Sequence, residues 1–403
     1  MSSFETTVGV LGVLLVAGAL LSGLARRSIL SLAALYVAAG FAFGAGGLGV
    51  LPFDRESSSV DDLVTIVLIV LLFHDGVEVE RDFLASHWRL PARKLLLGMP
   101  LTTAIVALVA HLAAGLPWLQ AFLLGAVIAP TDPVLSAAVV GDRRVPAVLR
   151  HSLNVESGLN DGLALPAVLA LLNALDRHGD PHFVWWQFAL QDLGLGIVFG
   201  VVCGLIGSLL MPRHRPGGAR DIPAHQRALY GLGIAFATYS VTVLPPHGNG
   251  LVAVFVAANV IGARRPDLRE ALAAGGEEIA EVAKLSVFAV FGSLLTLRGL
   301  LADAGAAAAI AAATFLLARP VAIFAAVGGS LGRAEKLFLS WFGARGVGTI
   351  AFSLLVFERH IPGGTQIFDL AAFVVVASIV VHGATDTAGA RWIAARAGVT
   401  SDT

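Results

Sequence analysis

Cys203 is the only cysteine in 403 residues, so no intrachain disulfide and no cysteine-based metal cluster can form. Charge is nearly as scarce. Asp, Glu, Lys and Arg make up 14% of the chain, against roughly a quarter in an ordinary soluble domain. The charges almost cancel, at −1 net, which leaves no strongly basic surface for a nucleic-acid partner. A basic segment ahead of the first apolar run is missing too: residues 1–10 hold no Lys or Arg, and Arg26 and Arg27 follow the run. That order reads as a retained first span with its N-terminus outside, not as a cleaved signal peptide.

Apolar residues fill the space left by charge. They are 57% of the chain, with a mean hydropathy of +0.82. Windows of about 20 apolar residues, the length that crosses a bilayer as helix, recur throughout. The expected fold is an all-α polytopic membrane protein with membrane lipid around it. About thirteen spans are expected, near 7–25, 28–48, 60–77, 91–114, 119–140, 147–173, 187–211, 227–244, 249–263, 278–297, 301–330, 333–357 and 366–387. Of 27 Lys and Arg, twenty fall in, or within one turn of, the connections after odd-numbered spans and in the C-terminal tail, and four after even-numbered ones. The asymmetry predicts the basic set in the cytoplasm, the N-terminus outside and the C-terminus inside. About sixteen residues follow the last span, so the activity is expected to reside in the membrane body.

Three basic residues fall within spans beyond the first turn: Lys284, Arg319 and Arg345. Lys284 follows Glu277, Glu278 and Glu281 near the start of its span and is expected to reach back to the cytoplasmic interface. Deeper lie Arg319, Arg345, Asp132, Glu156 and Asp161, with Asp75 near the end of span 3. A charge at mid-membrane costs roughly 2.5–3.5 kcal/mol, so five unpaired ones would cost on the order of 12–18 kcal/mol. They must therefore face protein or water. A purely structural ion-pair network would meet that need for most of them, but three acids against two arginines leave one carboxylate without an obvious partner.

Two spans are interrupted where these charges lie. In span 5, AFLLGAVIAPTDPVLSAAVV, Pro130 and Pro133 bracket Thr131 and Asp132. Each proline removes a backbone donor, and unwound backbone at this depth is tolerated only against protein or a water-filled cavity. Carbonyls near Ala129 to Thr131 could coordinate a cation, and Asp132 could neutralise the N-terminal end of the second half-helix. A simple proline kink is the plainer alternative. In span 12, KLFLSWFGARGVGTIAFSLLVF, Gly343, Gly346 and Gly348 surround Arg345. Interrupted helices at matching places in two halves point to a transporter site on inverted repeats, here spans 1–6 and 8–13. Span 6 begins VESGLNDG. Ser157 and Asp161 lie four apart on one helical face, and Glu156 and Asn160 lie four apart on the next. The first pair offers oxygen donors suited to a hard cation. The second offers a carboxylate for an arginine and an amide to hold geometry.

The motifs PTDPV at 130–134, ESGLNDG at 156–162, ARPVA at 318–322 and GARGVGTIAFSLL at 343–355, in this order, resemble the monovalent cation/proton antiporters of the NhaP and sodium/proton exchanger type. The resemblance covers nearly the whole chain. It departs in Gly343-Ala344-Arg345-Gly346, where many members have Gly-Leu-Arg-Gly, and regulation by an attached C-terminal cytosolic region is not expected. It implies a single transporter domain over 1–387 and a short cytoplasmic tail over 388–403. Spans 4–6 and 11–13 (about 91–173 and 301–387) would form an ion-binding core bundle with spans 5 and 12 crossed. Spans 1–3 and 8–10 (about 7–77 and 227–297) would form a dimerisation and gate bundle, with span 7 (about 187–211) as linker. Asp161 would bind cation and proton, with Ser157, Thr131 and Asp132 lining the site and Asp161, Ser157 and Thr131 holding the transported Na⁺. Asn160 would stand where electrogenic relatives have a second Asp, Glu156 would pair with Arg345, and Arg319 would be a core arginine of undefined role. No cofactor is implied beyond the transported Na⁺ or Li⁺ and H⁺, and the setting would be the plasma (inner) membrane, as a homodimer.

Exchange at such a site follows from one constraint. Burial penalises an uncompensated carboxylate, and either a proton or a cation relieves the penalty, never both. With Asn160 neutral and Glu156 paired, Asp161 alone would change state, which predicts electroneutral exchange of one Na⁺ for one H⁺ by a secondary transporter and not an enzyme. K⁺ in place of Na⁺ fits the same residues. A cation channel would also explain buried polar groups, though not a lone acid beside a paired one. An intramembrane aspartyl protease built on Asp132 and Asp161 would lack the Gly-x-Gly-Asp signature of that class.

Overall fold

In the computed structural model the described residues are 32–51, 58–79, 88–132, 144–176, 188–212, 222–245 and 247–396, with isolated positions besides. Span 1, most of the stretch after Asp132 in span 5 and the end of the tail lie outside them. Among the described residues helix is the only regular secondary structure. The first half of the chain supplies α1 (Leu32–Phe43), α2 (Ser58–Glu78), α3 (Arg89–Ala114), α4 (Trp118–Ile128), α5 (Ala147–Leu175) and α6 (Leu190–Leu210). The second half supplies α7 (Ala224–Val243), α8 (Gly250–Arg264), α9 (Pro266–Leu294), α10 (Leu297–Ala302), α11 (Ala304–Val327), α12 (Arg333–Trp341), α13 (Val347–Glu358) and α14 (Gly364–Arg396). Five of these, α3, α5, α6, α11 and α14, are long and apolar enough to cross a membrane.

Local sequence sets the helix ends. Pro117, Pro146 and Pro223 sit at the N-caps of α4, α5 and α7, where a missing N–H costs nothing. Asn249 and Thr296 cap α8 and α10 by accepting from the N–H of Val252 and Gly299. Gly115, at φ 67°, ends α3 in the left-handed conformation that glycine adopts without strain. Inside α3 and α11 a π-turn precedes a proline: Lys94–Gly98 before Pro100, and Thr314–Ala318 before Pro320. Proline cannot donate to the carbonyl four residues back. The backbone shifts by one residue, so Met99 and Arg319 donate to Lys94 and Thr314, five back.

Packing gathers the helices into two groups. Helix α6 lies along α8 and α7, α9 packs on α1, α2 and α7, and α2 runs beside α8. In the other group α3 packs on α4 and α11, α4 on α5, and α14 on α11 and α13. Contacts of α2 with α5 and α13, and of α9 with α13, join the two. Gly196, Gly200 and Gly204 make α6 smooth toward α8: a Cβ on Gly200 would stand 2.6 Å from the Ala253 carbonyl oxygen. Small residues four apart let membrane helices approach this closely. Between α8 and α9, Arg265 donates to the Ser208 and Met211 carbonyls at 2.7 and 2.6 Å, closing the C-terminus of α6. It also forks onto the Asp267 carboxylate at 2.9 and 2.8 Å, which raises its pKa further.

Candidate functional site

Helix α4 stops at Ile128 because Pro130 has no N–H to extend the ladder, and its last carbonyls need other donors. Arg345 supplies them: Nη1 donates to the carbonyls of Ala129 at 2.7 Å and Pro130 at 2.9 Å. The Thr131 carbonyl and hydroxyl accept from Asn160 Nδ2 at 2.7 and 3.1 Å. The carbonyls expected to be available for a cation are thus already bonded to Arg345 and Asn160. Span 12 breaks opposite, over 342–346, between α12 and α13. Here the Asp132 N–H donates to the Ala344 carbonyl at 2.9 Å, and Asp132 Oδ2 accepts from the Val347 N–H at 2.9 Å. Asp132 therefore caps the N-terminus of α13. The half-helix it was expected to serve, after Pro133, is largely outside the described residues. Each broken helix carries at its exposed end the charge that its dipole favours, supplied by the other.

The glycines of span 12 make the approach possible. A Cβ on Gly343 would collide with the Arg319 guanidinium, one on Gly346 with the Asp132 carboxylate, and one on Gly348 with the Asp161 carboxylate. Beside Asp161 lies a cavity of about 150 Å³, room for a cation with a few waters at about 30 Å³ per water. Asp161, Ser157 and Asp132 line it, together with Asn154. Thr131 is buried nearby and is not among the lining residues. Asp75, Glu78 and Lys284 complete the polar wall. Lys284, expected at the interface, instead faces this cavity. Glu78, Val79 and Asn154 put the cavity's reach at the C-terminal end of α2 and the first turns of α5, the side of the basic connections.

Glu156 points away from the cavity into a buried cluster. Its partners are Arg319 and Lys94, not Arg345. Arg319 forks onto both carboxylate oxygens, the Nη2 to Oε2 bond being 3.0 Å. Lys94 Nζ meets Oε2 and donates to the Ser152 hydroxyl and carbonyl at 3.1 and 3.3 Å. Pairing Glu156 with Arg345 fails because the α4 carbonyls already take that guanidinium, while the π-turns of α3 and α11 bring Lys94 and Arg319 inward. Lys94 follows Arg89 and Arg93 in a basic run of the sequence, yet only 2% of it is exposed.

Helix α14 holds the span-12 break in place. The Arg345 N–H donates to Ser378 Oγ at 2.8 Å, and His382 Nδ1 lies 3.1 Å from that hydroxyl. His382 Nε2 lies 3.0 Å from the Trp341 carbonyl. Nδ1 also lies 2.9 Å from the Ser378 carbonyl, so each ring nitrogen faces a carbonyl oxygen and either neutral tautomer donates to one of them. Ser378 and His382 were not anticipated. A polar pair four apart in the apolar run of span 13 was the signal available.

The sequence pattern of the sodium/hydrogen exchanger transmembrane family matches residues 12–389. The K⁺/H⁺ antiporter NhaP2 of Shewanella oneidensis is 28% identical over 391 residues, covering 94% of this chain and 66% of the relative. The K⁺/H⁺ antiporter NhaP of Alkalimonas amylolytica is 26% identical over 400 residues, covering 98% and 68%. The chain thus spans about two thirds of the length of these curated relatives, 66% and 68%. The structure of the sodium proton antiporter MjNhaP1 from Methanocaldococcus jannaschii is similar with a TM-score of 0.81 at 19% identity, covering 97% of this chain and 99% of that one. At that identity the likeness concerns the fold.

Proposed function

We propose, from the premise that the chain belongs to the sodium/hydrogen exchanger family of membrane transporters, that it exchanges a monovalent cation for H⁺ at Asp161. One observation carries the site assignment. Glu156 holds two buried cations, whereas Asp161 has no ion pair among the described residues and faces the cavity. Left bare, that carboxylate is penalised by desolvation. A proton or a cation removes the penalty, and each excludes the other, so the carboxylate would cross between its two accessible states loaded with one or the other. Ser157 and Asp132, on the same cavity wall, would share the cation, and Thr131 and Asn160 would hold the unwound backbone behind it.

Na⁺ or Li⁺ is the first reading of the cation, in keeping with the family's description. K⁺ is the second, and the names of the Shewanella and Alkalimonas relatives favour it. For the moving parts, we assign spans 4–6 and 11–13 to a core bundle and spans 1–3 and 8–10 to a gate and dimer bundle, with span 7 joining them. The two packing groups support this division, although α6 also packs closely on α8. The π-turns before proline in spans 4 and 11 support an inverted repeat. Rocking or sliding of the core bundle would then alternate access, in the plasma membrane with the basic connections inside.

The test is dissipation of a preset pH gradient in proteoliposomes by Na⁺, Li⁺ or K⁺. Asp161→Asn should abolish cation-driven H⁺ movement while the protein still inserts and purifies. Full activity in that variant would overturn the site, and the order of the three cations decides the substrate.

A further inference from the structure

The cavity beside Asp161 contains one basic group among the described residues. Four carboxylates line it: Asp161 on α5, Asp132 at the span-5 break, and Asp75 and Glu78 on α2. The ammonium of Lys284, on α9, lines it with them. Lys284 is half-buried, and among the described residues no carboxylate lies within ion-pair distance of it. The acids that precede it on α9, Glu277, Glu278 and Glu281, are exposed. The side chain is therefore a monovalent cation on a flexible tether, sharing a small polar cavity with the groups that would bind the transported ion.

We infer that Lys284 acts as a tethered competitor, a specificity- and affinity-setting residue whose ammonium shares the cavity with the binding carboxylates and weakens the binding of the transported cation there. This rests on the assignment of Asp161 as the exchanging carboxylate. Two physical points carry it. A fixed positive charge several ångström from a carboxylate weakens binding of a second positive charge there, strongly in a cavity less polarisable than bulk water. A transported ion must also be held weakly enough to leave, and four carboxylates with no internal cation would hold it too long. The tether belongs to the opposite packing group: α9 contacts α1, α2 and α7, while Asp161 rides on α5 with α4. A shift of one group against the other would change the distance between ammonium and carboxylate, so the competition belongs to the face on which this cavity opens.

The experiment measures cation-driven H⁺ movement in proteoliposomes at a series of Na⁺ and K⁺ concentrations. Lys284→Gln should lower the apparent KM for the cation by about threefold to thirtyfold, the range expected for removing one charge from a shared cavity. Maximal rate should change little, and Lys284→Arg should keep the wild-type KM. In a Cys203→Ala background, Lys284→Cys should show the same low KM, and attaching an aminoethyl group to the thiol should raise it again. Cation-dependent thermal stabilisation of the purified variants should shift its half-effective concentration by the same factor, without requiring turnover. An unchanged or raised KM in Lys284→Gln, or no response to restoring charge at residue 284, overturns the inference. Asp161→Asn run in parallel separates the two levels. Exchange surviving there sinks the site assignment itself, whereas a dead Asp161→Asn beside an unshifted Lys284→Gln sinks only the role of Lys284.

Discussion

Gly348 and Lys94 carry information that their residue types do not advertise. Gly348 faces the Asp161 carboxylate so closely that a Cβ cannot fit between them. Gly348→Ala should displace the carboxylate or strain α13, costing about 1–3 kcal/mol as an overpacked contact. The expected outcome is a protein that still folds but exchanges at least tenfold more slowly, measured by proteoliposome flux alongside a melting curve. Unimpaired flux would mean that the carboxylate does not work in the position seen here. Lys94 is the converse case, a basic residue in a basic run that turns inward. Composition cannot separate an interfacial lysine from one folded into a buried pair, because both follow a loop and precede an apolar stretch.

At the scale of helices, the pairing of Glu156 is a matter of azimuth. Sequence supplies the buried carboxylate and two deep arginines, but which cations meet it depends on how α3 and α11 are rotated against α5. Each π-turn inserts one extra residue, a rotation of about 100° for everything beyond it, and nothing in hydrophobic periodicity registers that shift. A double-mutant cycle of Glu156→Gln with Arg319→Gln should show a coupling of about 1–3 kcal/mol in thermal stability. The corresponding cycle with Arg345→Gln should show a clearly smaller one. Glu156→Gln alone leaves two buried cations unneutralised and should cost about 3–5 kcal/mol. Equal couplings in the two cycles would return Arg345 to the role of partner. Other features were readable in the chain itself. Apolar runs mark the helices, the prolines of PTDP and the glycines of GARGVG mark the breaks, and the four-residue spacing in ESGLNDG separates the cavity pair, Ser157 and Asp161, from the framing pair. Ser378 and His382 escaped because hydrogen bonds across helices leave no periodic trace.

For the whole molecule, charge movement is the decisive property. If one carboxylate takes either one cation or one proton, each half-cycle carries the same charge. A net charge crossing the full membrane would feel about 2.3 kcal/mol per 100 mV, up to about fiftyfold in rate. Exchange in proteoliposomes should therefore vary less than about twofold when 100 mV is imposed at fixed gradients. A strong dependence would show that more than one site charge changes state, with Asp75 and Glu78 the first candidates. The reciprocal capping at the crossing also has a mechanical consequence. Arg345 closes the end of α4 and Asp132 closes the start of α13, so neither break can open without stranding the backbone of the other. The two interruptions look like hinges, yet they are clamped together and must travel as a single body. In the proposed exchange cycle, bending would be left to the connections between the packing groups, and the unwound segments would serve as a rigid saddle carrying the site from one side to the other.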